Sequence, residues 1–287
     1  MRSYVALFTA FLITVICGFS MFEIMRPLQS TPQKGLFERI ALFVIDATVK
    51  PTPTPPESPT STSTPVRVPI IVYHIVRPSY PTDSADVRKL AVTPEIFDAQ
   101  LAYLQDAGYH VVNFTDLENY FASSAPLPAK PIILSFDDGW SDQYEYALPI
   151  LEKYHDTATF FIFTNAIGHH GFFTADEIHA LVAAGMSLGD HSRSHPYLTK
   201  ITDPAKLWDE IDGSKVILES EFGVPVTVFA YPFGQYSTDT IATLQKAGFI
   251  MARSDYWSGP TQYSDHLYQL SAINVPTTLE KFKRYFP

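Results

Sequence analysis

Cysteine is nearly absent from this chain, and cationic side chains are scarce. The only cysteine is Cys17, which excludes an intrachain disulfide and a cysteine-based metal site. Lysine and arginine number 20 against 30 aspartates and glutamates, a formal net charge of −10. Because nucleic acids are bound by basic surfaces, this balance argues against a nucleic-acid partner. The sequence also lacks a phosphate-cradling glycine loop, which argues against a phosphotransferase.

The longest uncharged run lies at the N-terminus, between Tyr4 and Phe22. About 20 apolar residues suffice to cross a bilayer as a helix. We expect residues 1–25 to form a signal-anchor or transmembrane segment that holds the protein to the membrane. A cleaved signal is the alternative, against which "VICGFSM" is a poor cleavage site. Both interpretations predict an extracytoplasmic protein, either membrane-anchored or secreted.

A segment rich in proline, serine and threonine follows the apolar run. Residues 26–65 combine a membrane-proximal stretch with the linker "PTPTPPESPTSTSTP". A linker of this composition cannot build a core and stays extended. The sequence therefore predicts one folded domain over residues 66–287.

Strand and helix signals alternate along this domain. The short apolar strand signals are "VPIIVYH", "PIILSF", "ATFFIF", "MSLGDHS", "VTVFAYP" and "GFIMA". Helix starts are indicated by Thr93 before a proline, by Thr174 with Glu177 three residues on, and by Asp203. This alternation predicts an α/β fold with a parallel sheet covered by helices. The length of the domain favours a closed or nearly closed β/α barrel.

Polar side chains follow several of the predicted strands. His74 ends the first strand, Asp137 and Asp138 follow "PIILSF", and His191 and His195 follow "MSLGD". Active sites of β/α barrels lie at the carboxyl ends of the strands. We therefore expect these five side chains to share one pocket.

Two imidazoles and a carboxylate suggest a metal site. Asp138, His191 and His195 match the common catalytic zinc set of two histidines and one carboxylate, and other divalent ions suit it too. Pro196 favours a loop over a helix for the two histidines. Asp137 and Asp138 repel each other, so we expect one on the metal and the other as a general base. A simple Asp-Gly turn is the alternative for this pair.

Two motifs together resemble a known family. "SFDDG" followed by "HSRSH" resembles the polysaccharide deacetylases of the NodB-homology type, carbohydrate esterase family four. The likeness covers roughly residues 66–274, and "VPIIVYHIV" with "TPEIFDAQLAYLQDAGY" is similar to the branch that acts on poly-N-acetylglucosamine. The resemblance implies a distorted (β/α) barrel. It also implies a metal-dependent hydrolase that releases acetate from an extracellular polysaccharide of N-acetylglucosamine type. The implied metal is Zn²⁺, with Co²⁺, Ni²⁺ or Fe²⁺ as alternatives.

The resemblance also implies roles for single residues. Asp137 would be the base, and Asp138, His191 and His195 would hold the metal. The backbone N–H of Phe233, in "YPFG", would help to hold the oxyanion.

Two features of the family pattern are missing. The arginine that orients the base falls at Ala230, and the late histidine that serves as acid is absent. We therefore assign His74 as the general acid, with a core histidine as the alternative for His74 and with His266 as a second acid candidate.

The expected substrate is a polysaccharide, with Trp140, Tyr231 and Tyr236 as sugar-binding residues; a place in the core is the alternative for such rings. Two other functions stay open. One is deacetylation of another acyl glycan, such as peptidoglycan, chitin oligomers or a xylan ester. The other is a catalytically impaired surface protein that only binds carbohydrate. Nothing in the sequence specifies an oligomeric state.

Overall fold

The computed structural model describes residues 63–287. The predicted membrane segment, residues 1–25, and most of the predicted linker, residues 26–65, lie outside this range. Across residues 63–287, no helix is long and apolar enough to cross a membrane. The first strand begins at Pro65, beside the predicted start of the folded domain.

Short strands carry the parallel sheet and two small accessory sheets. Their bounds are β1 Pro65–Arg67, β2 Ile70–Tyr73, β3 Ile75–Val76, β4 Ala91–Val92, β5 His110–Val112, β6 Pro131–Phe136, β7 Thr159–Ile162, β8 Ser187–Asp190, β9 Val228–Ala230, β10 Met251–Arg253, β11 Thr261–Tyr263 and β12 Ile273–Asn274.

Helices fill most of the connections between strands. Their bounds are α1 Val87–Leu90, α2 Pro94–Asp106, α3 Phe114–Ser123, α4 Leu148–Tyr154, α5 Ala175–Ala183, α6 Pro204–Phe222, α7 Thr238–Lys246 and α8 Leu279–Tyr285. A π-helical turn, Gln143–Ala147, leads into α4. Short 3₁₀ turns include Thr164–Ala166, Leu198–Lys200 and Pro232–Gly234.

The main sheet is parallel and curved. Its strand order is β10–β9–β8–β7–β6–β2–β12, and β5 pairs with the first residues of β6. Leu270, just before β12, forms a parallel bridge to Arg253 of β10. The two ends of the strand order therefore approach each other. This half-barrel of parallel strands is consistent with the predicted distorted (β/α) barrel.

The helix starts lie where the sequence predicts them. The hydroxyl of Thr93 accepts from the N–H of Ile96, and Thr174 forms a capping box with Glu177. The carboxylate of Asp203 caps α6. Each cap satisfies an N–H group that has no partner inside the helix. These local bonds fix where the chain leaves each loop and turns back along the sheet.

The sheet is buried on both faces. On β7, Phe160 and Ile162 pack in the cluster that includes α2, α5 and α6. Phe161, between them, packs in a second cluster with Val72 and Ile133. Successive strand residues point to opposite faces, so a sheet covered on both sides requires unbroken apolar strands. This explains why "PIILSF" and "ATFFIF" lack polar alternation.

Asp156 provides a stability prediction at the end of the sheet away from the strand carboxyl ends. It lies between α4 and β7, and burial raises its pKa to about 6. A raised folded-state pKa contributes stability at low pH that is lost as the pH rises through about 6. Asp156→Asn should therefore raise the melting temperature at pH 8, by the equivalent of about 1 kcal/mol or less after solvent screening. The gain should shrink as the pH falls toward 4.

Thermal melts at the two pH values check this expectation. The matched control is Glu152→Gln, which removes a nearby exposed carboxylate and should give no such gain. An equal effect of Asp156→Asn at both pH values would contradict the assignment.

Candidate functional site

The three predicted ligand residues converge beyond the carboxyl ends of β6 and β8. Asp138 follows β6, and His191 and His195 follow β8. The Nε2 atoms of His191 and His195 lie 3.6 and 3.5 Å from Asp138 Oδ1, and 3.1 Å from each other. The structure thus brings together one carboxylate oxygen and two imidazole nitrogens, all within 4.8 Å of one another. Among residues 63–287, these three side chains form a group that could hold a metal ion.

The spacing of these atoms fits a divalent ion. Ligand atoms about 2.0–2.2 Å from a tetrahedral ion lie roughly 3.3–3.6 Å from one another. The two distances from Nε2 to Asp138 Oδ1 lie in this range, and the two Nε2 atoms, at 3.1 Å, are slightly closer. The Nδ1 atom of His191 is 2.7 Å from the carbonyl oxygen of Ala230. A bond of this kind fixes the tautomer and turns Nε2 toward the ion. Asp138, His191 and His195 are therefore the residues that would hold the metal.

A strained loop turns the two histidines together. The N–H of Ser192 donates to Asp190 Oδ1 (2.8 Å), and the N–H of His195 donates to the Ser192 hydroxyl (3.0 Å). Ser192 and His195 have φ values of 68° and 57°, and Asp138 has 73°. Such values are uncommon for residues other than glycine and concentrate at functional sites. The predicted loop, rather than a helix, is confirmed here.

The three side chains of this group have shifted pKa values. Burial lowers the pKa of His191, but the hydrogen bond to Asp138 and the charges of Asp137 and Asp138 outweigh it and raise that pKa overall. Burial, together with repulsion from His191, lowers the pKa of His195 to about 4. Burial alone would raise the pKa of Asp138, but the hydrogen bond from His191 and the other nearby imidazoles bring it well below its ordinary value. At neutral pH Asp138 is ionised and His195 is neutral, the protonation states that ligands require.

Asp137 has a different set of partners from its neighbour. Its Oδ1 accepts a hydrogen bond from Nη2 of Arg253, a buried arginine on β10. Its Oδ2 lies 4.0 Å from Nε2 of His74. The structure therefore places the predicted base, Asp137, between the Arg253 guanidinium and the predicted acid, His74. Asp137 also directly precedes the first member of the triad, which is the group formed by Asp138, His191 and His195.

Sequence reasoning missed Arg253. In the sheet, Arg253 on β10 lies directly beside Ala230 on β9, the position where the family pattern led us to expect an arginine. The guanidinium comes from the neighbouring strand instead, and it reaches the base from there. The available signal was a charged residue that directly follows the apolar run "GFIMA". A cation at the end of a buried strand requires a buried partner.

An aromatic ring supports this arginine. The Arg253 guanidinium carbon lies 4.5 Å from the centre of the Phe161 ring. On the next strand, a Cβ atom added to Gly189 would lie 2.4 Å from that ring. The absence of a side chain at Gly189 therefore lets Phe161 lie beneath Arg253.

Gly189→Ala should disturb this arrangement. The added methyl group would displace the Phe161 ring. This should lower the unfolding free energy by about 1–3 kcal/mol and lower activity. Denaturant unfolding measures the first effect. Gly213→Ala, on α6, is the matched control, because the atom it would meet is the far end of the exposed Asp209 side chain, which pairs with Arg193. Equal stabilities of the two alanine variants would contradict the packing role of Gly189.

The three predicted sugar-binding rings lie in different settings. Trp140 donates from Nε1 to Asp138 Oδ2 (2.9 Å) and stacks on Phe172, so the structure places its indole against a ligand residue. Tyr231 departs from the expectation: its ring is buried and its hydroxyl donates to the Tyr268 carbonyl. Tyr236 is half-buried and packs on the Tyr231 ring.

Phe233 lies in the tight turn Pro232–Gly234 with a φ of 59°. Its ring stacks on Tyr197 and meets the His195 ring edge-on. The predicted oxyanion residue is therefore next to the triad. His266, the second acid candidate, lies in the turn after β11, where its ring packs near Tyr263.

Comparisons with known proteins agree with these motifs. The model of the polysaccharide deacetylase family matches residues 124–252. YxkH of Bacillus subtilis (strain 168), which bears the same family name, is 28% identical over 214 residues, or 75% of this chain and 73% of YxkH. A poly-beta-1,6-N-acetyl-D-glucosamine N-deacetylase of Staphylococcus aureus is 25% identical over 182 residues, 58% of this chain and 62% of that protein.

A solved structure shows the same fold. The Streptococcus pyogenes deacetylase PplD, in complex with acetate, superposes with a TM-score of 0.71 at 26% identity, covering 78% of this chain and all of PplD (100%). IcaB from Ammonifex degensii, at 23% identity and a TM-score of 0.64, shares the fold. Family model, relatives and fold agree with the two sequence motifs. Residues 124–252 therefore match the polysaccharide deacetylase family, and the chain is similar to its NodB-homology type in motifs, relatives and fold.

Proposed function

We propose that this protein is a metal-dependent N-deacetylase that removes acetyl groups from an extracellular polymer of N-acetylglucosamine. The observation that carries the proposal is the division of labour between two adjacent carboxylates. Asp138 faces His191 and His195, whereas Asp137 is held by Arg253 and faces His74. One carboxylate can serve a metal while the other moves a proton.

The residues suggest a hydrolytic sequence. A divalent ion held by the triad would supply Lewis acidity and lower the pKa of water. Asp137 accepts the proton that water loses as its oxygen adds to the acetamide carbonyl carbon. The N–H of Phe233 donates to the oxygen that gains charge. His74 protonates the amine as the C–N bond breaks, which frees acetate and leaves an amino sugar.

Two alternatives from the sequence differ in their support. The alternative of a protein that only binds carbohydrate rested on the alanine at position 230, where the family pattern has an arginine. Arg253 contacts Asp137 instead, which weakens this alternative. Deacetylation of a different acyl glycan stays a matter for product analysis. The similarity to the staphylococcal enzyme favours β-1,6-linked N-acetylglucosamine as the first substrate to test.

The proposed location follows from the N-terminus. The uncharged run of residues 4–22 and the linker of residues 51–65 suit a domain held outside the membrane on a stalk. An extracellular polymer would be within reach of such a domain.

Acetate release from a panel of glycans tests the proposed substrate class. The panel comprises β-1,6-linked N-acetylglucosamine oligomers, chitooligomers, peptidoglycan and acetylated xylan, each incubated with the zinc-loaded full chain. We expect acetate and free amines from an N-acetylglucosamine polymer. Acetate from xylan alone, or glycan binding with no acetate from any substrate, would refute the proposal.

A further inference from the structure

The backbone pairing of β2 and β6 ends at the carboxyl ends of these two strands. The two strands pair in register up to Tyr73 and Phe136, and the N–H of Asp137 then donates to the Tyr73 carbonyl (2.9 Å). His74 and Asp137 are the next residues on each strand. The acid and the base of the proposed reaction therefore stand at the point where the strand pairing stops.

The side chain of Gln143 bridges the two strand ends at this point. Its side chain is fully buried, and Nε2 donates to the backbone carbonyls of both His74 and Asp137, each at 2.6 Å. One amide nitrogen thus joins the two strand ends. Gln143 Oε1 is buried and accepts no hydrogen bond from residues 63–287. A buried oxygen without a partner costs free energy. The stabilising contribution of this amide therefore comes from the two hydrogen bonds that Nε2 donates.

Asp142 holds the backbone just beyond the same end of β2. Its Oδ1 accepts from the N–H of Val76 (3.2 Å), two residues beyond His74. Asp142 and Gln143 open the π-helical turn that ends at Ala147. Turns of this type are rare and frequently lie at functional sites. This turn directs two consecutive side chains to the backbone that immediately follows the His74 side chain, at the His74 carbonyl and the Val76 N–H.

We infer that Asp142 and Gln143 form a clamp that sets the distance between the His74 imidazole and the Asp137 carboxylate. The inference rests on the proposed function, because it concerns the acid and base of that reaction. Both members of the clamp are positioning residues, since they reach backbone atoms and leave the reacting side chains free. Asp142 bonds to none of Asp138, His191 and His195, so its part of the clamp acts on the His74 side. Gln143 also holds the peptide that joins Asp137 to the ligand residue Asp138.

Four single variants test the clamp in the zinc-loaded full chain. Gln143→Met keeps the shape of the side chain and removes both donations. Asp142→Ala removes the bond to Val76, whereas Asp142→Asn keeps an acceptor oxygen. Gln245→Met, on the exposed face of α7, is the matched control. We expect kcat to fall about tenfold for Asp142→Ala, with KM and zinc content unchanged, and about 10²-fold for Gln143→Met when the proteins are compared at equal zinc occupancy. Asp142→Asn and Gln245→Met should stay near wild type.

A double-mutant cycle separates positioning from general damage. If Asp142 acts through His74, Asp142→Ala should cost nothing further in a His74→Ala background. The same fold loss with and without His74 would overturn the inference, as would an unchanged kcat for both clamp variants. If Gln143→Met does not fold, the contrast between Asp142→Ala and Asp142→Asn decides. Failure of the proposed function looks different: the wild-type protein itself would release no acetate.

Discussion

Asp137→Asn should abolish acetate release while the protein keeps its metal. Asparagine preserves the shape of the side chain but cannot take a proton from water. Loss of a general base costs about 10²–10⁴ in rate, and we expect a fall of about 10³ or more in kcat. Asp137 lies outside the group of ligand atoms that Asp138, His191 and His195 form. The zinc content of the variant should therefore equal that of the wild type.

The neighbouring residue provides the matched control. Asp138→Asn changes the adjacent carboxylate in the same way, but it should lose both zinc and activity, because the triad loses its charged ligand. Steady-state kinetics and elemental analysis on the two variants give the comparison. Full activity of Asp137→Asn, or equal zinc loss in both variants, would refute the separation of base from ligand.

Arg253→Met should lower both activity and stability. The guanidinium holds Asp137 Oδ1, so its removal frees the base to leave its productive position, and we expect kcat to fall about 10²-fold. It also leaves the Asp137 carboxylate buried without its cation. Breaking a buried ion pair from one side costs about 3–5 kcal/mol. Denaturant unfolding and kinetics measure the two losses.

The double variant Asp137→Asn/Arg253→Met checks that the losses share one cause. Removing both charges should recover much of the stability that Arg253→Met loses, because no uncompensated buried carboxylate remains. It should not recover activity. Additive stability losses in the double variant would show that Arg253 acts on the fold through other contacts.

The strand ends were predictable because their signals are local. The apolar run of β6 stops at two carboxylates, and Pro196 rules against a helix for the histidines. In a parallel fold these features alone bring Asp138, His191 and His195 to one edge of the sheet. The caps at Thr93 and Thr174 were visible for the same reason, since each bond closes within three residues.

The partner of the base was not predictable in this way. Arg253 and Asp137 are 116 residues apart, and β10 and β6 are not neighbours in the sheet. The two residues meet because the sheet curves, an arrangement that no local pattern encodes. The bond from Trp140 was also not predictable. A ring after a strand end predicts a sugar-binding surface, which stays a prediction, and nothing in the sequence indicates that the indole N–H donates to Asp138. Gln143 reads as an ordinary polar residue until the π-helical turn buries it against two carbonyl groups.

Two elements were missed for different reasons. Helix α3 carries a local start signal, the Asn113–Asp116 capping box, which sequence reasoning overlooked. The π-helical turn before α4 breaks the 3.6-residue spacing on which helix prediction depends.

Metal-dependent acetate release is the most direct test of the central proposal. The full chain is stripped of metal with a chelator and assayed on β-1,6-linked N-acetylglucosamine oligomers, then assayed again as zinc is added back, with bound zinc counted in parallel. We predict no acetate from the stripped protein and a return of activity that saturates at one zinc per chain. Undiminished acetate release by the fully stripped protein would contradict the proposed metal site.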